Sequence, residues 1–212
     1  MATAGLFDKL ASEYDNWYIH HRITALNEVN LVKSMLAYTR KPCLEIGVGS
    51  GFFASYVDCM YGVDPSVSML TIARGRGVEV ALGRGERLPI ASSSVGTVLI
   101  VVTICFLDDP EETLHEAWRI LTPSGSLVTC IVPRESPWGS LYVELGKSGH
   151  PFYSKARFYS VEELVRMSES VGFRVESIKA TLTYKPWEPE RPDRIVEYTG
   201  YEGFTCIRFN KG

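Results

Sequence analysis

Short apolar runs that alternate with amphipathic stretches constrain this chain more than any other feature of its 212 residues. After Pro42 the segment Cys43-Leu44-Glu45-Ile46 runs into glycines, and apolar runs recur at 59–63, 78–82, 95–102 and 127–132. Helix-like stretches at 51–56, 67–74 and 110–121 lie between them. Strands joined through helices need right-handed crossovers, which place helices on both faces of a mainly parallel sheet. The pattern therefore predicts a doubly wound α/β domain with seven strands, the last of them antiparallel. Two leading helices, over 6–18 and 23–38, precede the first strand.

Local signals set several boundaries. Pro110 opens a helix with Glu111 and Glu112 in its first turn, and Thr122-Pro123-Ser124-Gly125 is expected to stop it. Glu116 and Arg119 on that helix read as structural, with Arg119 anchoring the turn before Ser124-Gly125. Ser160 and Glu163 form a capping box for a helix to Val171, closed by Gly172. Strands over 173–182 and 204–209 follow, separated by KPWEPERPDR, whose prolines and charges predict a surface loop.

One domain is expected over 1–212. Leading helices that form a lid occupy 1–40, a ligand-binding core 41–132, an insertion 133–160, and the last helix and strands 161–212. The net charge of −3, from 22 basic and 25 acidic residues without a basic stripe, argues against nucleic acid as a partner. No signal peptide and no membrane span are expected. Five cysteines (Cys43, Cys59, Cys105, Cys130, Cys206) without a CxxC spacing read as reduced, buried thiols of a cytoplasmic protein.

The chemistry concentrates in Leu44-Glu45-Ile46-Gly47-Val48-Gly49-Ser50-Gly51, where three alternating glycines sit at a strand-to-helix turn. Glycine there permits a tight turn and close approach of a ligand to the backbone. The dinucleotide fingerprint G-x-G-x-x-G is broken by Phe52, and Glu45 would repel a diphosphate while attracting ammonium and sulfonium charge. Asp64, at the end of the second strand in Gly62-Val63-Asp64-Pro65-Ser66, suits ribose hydroxyls, with a helix cap as the lesser alternative.

Taken in order, YDNWY, LEIGVGSG, GVDPS, GRGERLP, TICFLDDP and EAWRILTPSG resemble the class I S-adenosylmethionine-dependent methyltransferases, in particular the UbiE-like or type 11 group. The resemblance is strongest over 40–132 and implies a Rossmann-like fold with S-adenosyl-L-methionine as cofactor. By position it implies that Glu45, Gly47, Gly49 and Gly51 line the methionine side and that Asp64 binds the ribose diol. Pro65 and Met69 would border the adenine, Gly85 and Glu86 would approach its edge, and Thr103 would lie near the transferring methyl. Tyr14 and Trp17 would lid the pocket, or simply pack their aromatic faces.

Methyl transfer from a sulfonium is a direct displacement that needs alignment and exclusion of water, not a covalent enzyme nucleophile. The four histidines show no metal spacing. The aromatic-rich insertion (Trp138, Tyr142, Phe152, Tyr153, Phe158, Tyr159) is expected to help form a pocket for a small amine, thiol or ring compound, or else a hydrophobic cluster or an interface that leaves a homodimer open. His150 and Tyr153 are the candidate proton acceptors. Competing readings are a noncatalytic S-adenosylmethionine-binding partner subunit and a nucleotide-dependent oxidoreductase.

Overall fold

A computed structural model describes residues 2–211, so Met1 and Gly212, the ends of the expected domain, lie outside the described residues. Three helices lead: α1 (Ala2–Lys9), α2 (Ala11–His20) and α3 (Arg22–Met35). The core follows as β1 (Cys43–Ile46), α4 (Phe52–Tyr56), β2 (Tyr61–Asp64), α5 (Val67–Gly75), β3 (Glu79–Leu82), β4 (Val95–Val101), α6 (Pro110–Ile120) and β5 (Leu121–Ile131). The chain ends with α7 (Pro137–Lys147), α8 (Val161–Val171), β6 (Phe173–Thr181), β7 (Val196–Glu197) and β8 (Phe204–Lys211).

The strands form one sheet in the order β3-β2-β1-β4-β5-β8-β6-β7. Strands β1 to β5 pair parallel, and β8 inserts antiparallel between β5 and β6. The Rossmann-like architecture is thus as expected. An eighth strand is added, because β7 pairs with the edge of β6 through only Lys179 and Ala180. Strand β4 is buried along its whole length, which is why Val-Gly-Thr-Val-Leu-Ile-Val reads as a continuous apolar run and not as an alternation. One core packs α3 and α4 on one sheet face, and a second packs α6 and α8 on the other. The order of strands reverses between β1 and β4, so the crevice at their carboxyl ends is the switch point where α/β sheets bind ligands.

Several expectations need correction. The leading segment holds three helices, not two, because the backbone leaves helical geometry at Leu10 and again at His21. The insertion contains helix α7, opened by Pro137 and capped by the Ser136 hydroxyl, which accepts from the Gly139 N–H. Helix α6 ends at Ile120, and Thr122-Pro123-Ser124-Gly125 lies within β5, where the register against β4 shifts between Val95 and Thr97. Arg119 reaches the other way: it donates to the carbonyls of Ile90 and Leu88 and to the Ser92 hydroxyl, while Glu116 accepts from the Leu88 N–H. This pair therefore clamps the loop after β3.

The cysteines are also corrected. Cys43–Cys59 and Cys130–Cys206 are disulfides, and Cys105 is free and buried. Cys130 and Cys206 stand directly opposite each other on β5 and β8, a pairing set by sheet register and invisible in linear spacing. Cysteine usage thus no longer argues for a reducing compartment. Among the described residues no helix is long and apolar enough to cross a membrane.

Candidate active site

A cavity of about 440 Å³ opens at the carboxyl ends of β1, β2 and β4. Its floor is the glycine turn. Gly47 and Gly49 both have left-handed backbones, with φ of 70° and 52°. A Cβ on Gly47 would lie 2.1 Å from the Thr103 side chain, whereas one on Gly49 meets nothing within 4 Å. Gly47 is therefore needed for packing and Gly49 to leave the ligand side of the turn bare. Asp64 fixes this geometry: its carboxylate accepts from the Gly49 N–H at 2.9 Å and from the Ser66 N–H at 2.8 Å. Ser66, not Asp64, caps α5, accepting from the Met69 N–H. Thr103 ties β4 to the turn by donating to the Gly47 carbonyl at 3.1 Å.

All the expected cofactor residues except Gly51 and Trp17 line this cavity. Gly51 packs behind the turn, where a Cβ would meet Ala73 of α5 at 3.0 Å. Glu45 is 2% exposed and its Oε2 has no hydrogen-bond partner. Burial pushes its carboxyl well above the ordinary value, and burial likewise raises Asp64 against the opposing Ser66 and Gly49 N–H groups. Glu86 is less available than expected, since its Oε1 accepts from the Asp108 and Asp109 N–H groups and its Oε2 pairs with Arg84. The roof is α1, which the sequence pattern missed. Its Phe7 packs on Tyr14, Phe106 and Phe152, and its Asp8 accepts from the Ser66 hydroxyl and the Ser68 N–H.

A second cavity, of about 400 Å³, abuts the first. Tyr14, Tyr18, Phe53, Val102 and Phe106 line both. Trp17, His150 and Tyr153 belong to the second cavity alone, so Trp17 stands on its wall and does not lid the first. Tyr153 stacks between Tyr142 and His150, each ring centroid 4.3 Å away. Burial pushes the Tyr153 phenol up to about 12, so it stands in the second cavity as a neutral phenol across the neutral range. The Nδ1 of His150 accepts from the Tyr153 N–H at 3.4 Å. Cys105 also lines this cavity, with burial raising its thiol to about 12.

Comparison with known proteins settles the family. The type 11 model, described as a methyltransferase domain, matches residues 44–129. A crystal structure from Thermotoga maritima, a SAM-dependent methyltransferase described as a possible histamine N-methyltransferase, is 40% identical over 99% of this chain and 100% of its own, with a TM-score of 0.93. This chain belongs to the S-adenosylmethionine-dependent methyltransferases. An uncharacterized protein of Methanocaldococcus jannaschii is 35% identical over 97% of this methyltransferase chain and 98% of its own length. An uncharacterized protein of Mycobacterium tuberculosis is 39% identical over 83% of the chain, which spans only 62% of that relative's length. S-adenosylmethionine is the family's cofactor, and the first cavity suits it: the unpartnered Oε2 of Glu45 answers a cationic ligand, and the bare face of Gly49 admits one.

Some site residues carried no obvious sequence signal. Phe7 and Asp8 sit in a short helix ahead of the first recognisable motif. Tyr18 lies in the quoted YDNWY segment, and its ring stacks on Phe52 with centroids 4.0 Å apart. Glu28 of α3 lines the second cavity and is 6% exposed. Its position on the apolar stripe of α3, between Ala25 and Val32, is a legible signal, because a carboxylate seldom occupies a buried helix face.

Proposed function

We propose that this methyltransferase holds S-adenosylmethionine in the first cavity and methylates a small-molecule acceptor in the second. The observation that carries this reading is the shared wall, which brings two cavities of comparable size together at Tyr14, Tyr18, Phe53, Val102 and Phe106. When bound, the cofactor supplies an electrophilic methyl group on a sulfonium. Glu45 faces the cofactor's positive charge, Asp64 accepts from its ribose hydroxyls, and Pro65 and Met69 border its adenine, with the Gly85-Glu86 backbone at the adenine edge. Thr103 holds the glycine turn in place beneath the methionyl part. The Phe7, Tyr14 and Phe152 rings exclude water from the junction, which suits a displacement between charged and neutral partners.

The aromatic second cavity fits an amine, a thiol or a flat ring, and the relative described as a possible histamine N-methyltransferase is consistent with the first. The test is turnover of the purified chain with methyl-labelled S-adenosylmethionine against small amines, thiols and ring compounds. Label transfer that Tyr142→Leu slows through a higher acceptor KM, with unchanged cofactor affinity, supports the reading. Cofactor binding without transfer to any small acceptor would favour a noncatalytic partner subunit instead.

A further inference from the structure

The second cavity carries a charge that the reading above does not use. Glu28 projects from α3 into a wall of aromatic rings, is 6% exposed, and has no hydrogen-bond or ion-pair partner among the described residues. Burial is the main cause that raises the phenols around it, Tyr14 and Tyr18 from α2, Tyr142 from α7 and Tyr153 from the turn Tyr153–Lys155, and the nearby Glu28 adds a smaller push to each. These four are neutral at physiological pH. Glu190, from the loop before β7, adds further negative charge and is held by His21 at 2.6 Å. Among the described residues no lysine or arginine lines the cavity, whose other titratable groups, besides the four tyrosines, are Glu13, His20, His21, His150 and the Cys105 thiol. A carboxyl retained in such a place without a partner is unfavourable unless a ligand completes it. Negative charge ringed by π faces selects a cation.

We infer that Glu28 and the rings around it bind an amine acceptor as its ammonium, with Glu28 then taking the ammonium proton to expose the nitrogen lone pair. This deepens the reading of the second cavity as the acceptor site and rests on it. Burial, reinforced by Glu190, pushes Glu28 up to about 8, so near neutrality the empty cavity holds a neutral carboxyl. An entering ammonium therefore expels that proton to solvent and pairs with the carboxylate. The carboxylate next accepts one N–H proton, which leaves a neutral amine and a neutral carboxyl. Once the nitrogen is methylated it leaves as the alkylated ammonium, and Glu28 is already reset. One proton is released per turnover, at binding.

The test uses the whole chain saturated with S-adenosylhomocysteine and three probes of similar shape: 2-phenylethylamine, 2-phenylethanol and phenylacetate. Calorimetry at pH 7 in two buffers of different protonation enthalpy should find the amine bound at least about tenfold more tightly than the alcohol, and phenylacetate most weakly. Amine binding should release about one proton. Glu28→Gln, an isosteric change, should abolish both the amine preference and the proton release, leaving the alcohol and S-adenosylhomocysteine affinities unchanged. Glu169→Gln, on the exposed face of α8 and outside both cavities, should preserve all of them. A chain that binds S-adenosylhomocysteine yet shows no preference for the amine, or binds none of the three, overturns the assignment, as does a Glu28→Gln protein that keeps the preference. Failure of the wild-type chain to bind S-adenosylhomocysteine would remove the underlying reading, a result distinct from these.

Discussion

Glu28→Gln should change how the stability of the empty protein depends on pH. Burial and Glu190 raise the Glu28 carboxyl from 4.5 to about 8 in the folded state. Below pH 4.5 the group is neutral in both states and costs nothing. Between 4.5 and 8 the unfolded chain ionises it while the fold keeps it protonated, so stability falls as pH rises, and above 8 the loss is complete at about 5 kcal/mol, an upper limit. About 4 kcal/mol of that falls between pH 5 and 9. Glutamine does not titrate, and the other buried acids, Glu45 and Asp64, are common to both proteins and cancel in the comparison. Urea unfolding of wild type and variant, in parallel at pH 5, 6, 7, 8 and 9, should therefore show Glu28→Gln gaining on wild type from pH 5 to 8 and levelling off towards pH 9. Two curves that run parallel would refute the claim that Glu28 is buried without a partner.

Other outcomes follow from the same geometry. Gly49→Ala puts a methyl on the open side of a turn with φ of 52°, and should cost about 1 kcal/mol of stability while lowering S-adenosylhomocysteine affinity far more, measured by melting and titration together. Asp8→Ala removes the acceptor for the Ser66 hydroxyl and Ser68 N–H, and should cost about 1 kcal/mol and speed hydrogen exchange across α1 while leaving β4 protected. Cys206→Ser opens a disulfide spanning 76 residues, and should lower unfolding stability by about 2–4 kcal/mol in non-reducing urea titrations, a difference that vanishes when wild type is reduced.

The ligand-binding core was readable because its signals are local. The glycine turn, Asp64 at the end of β2, the Pro110 start of α6 and the Ser160 capping box each follow from neighbours a few residues apart, and each element lies where its pattern put it. Features fixed by distant contacts were not. The Cys130–Cys206 bond depends on β8 inserting antiparallel beside β5, and β7 exists only because β6 offers it an edge. Helix α7 was hidden by its aromatic residues, which read as a pocket lining, although Ser136-Pro137 is an ordinary helix start. Glu28 lay on the wrong face of α3 for a charge, a conflict between local pattern and residue type of the kind that marks function. The aromatic segment pointed to the second cavity, but the acidic group within it came from a helix far away in sequence.

The central claim, that the first cavity is built for S-adenosylmethionine, is tested most directly by calorimetric titration of the chain with S-adenosylmethionine, S-adenosylhomocysteine and NAD, repeated on Asp64→Ala. Saturable binding of both adenosyl ligands, weakened at least about tenfold in the variant through lost charge-assisted hydrogen bonds and absent for NAD, is the predicted result. Binding of NAD in their place, or of neither adenosyl ligand, would contradict it.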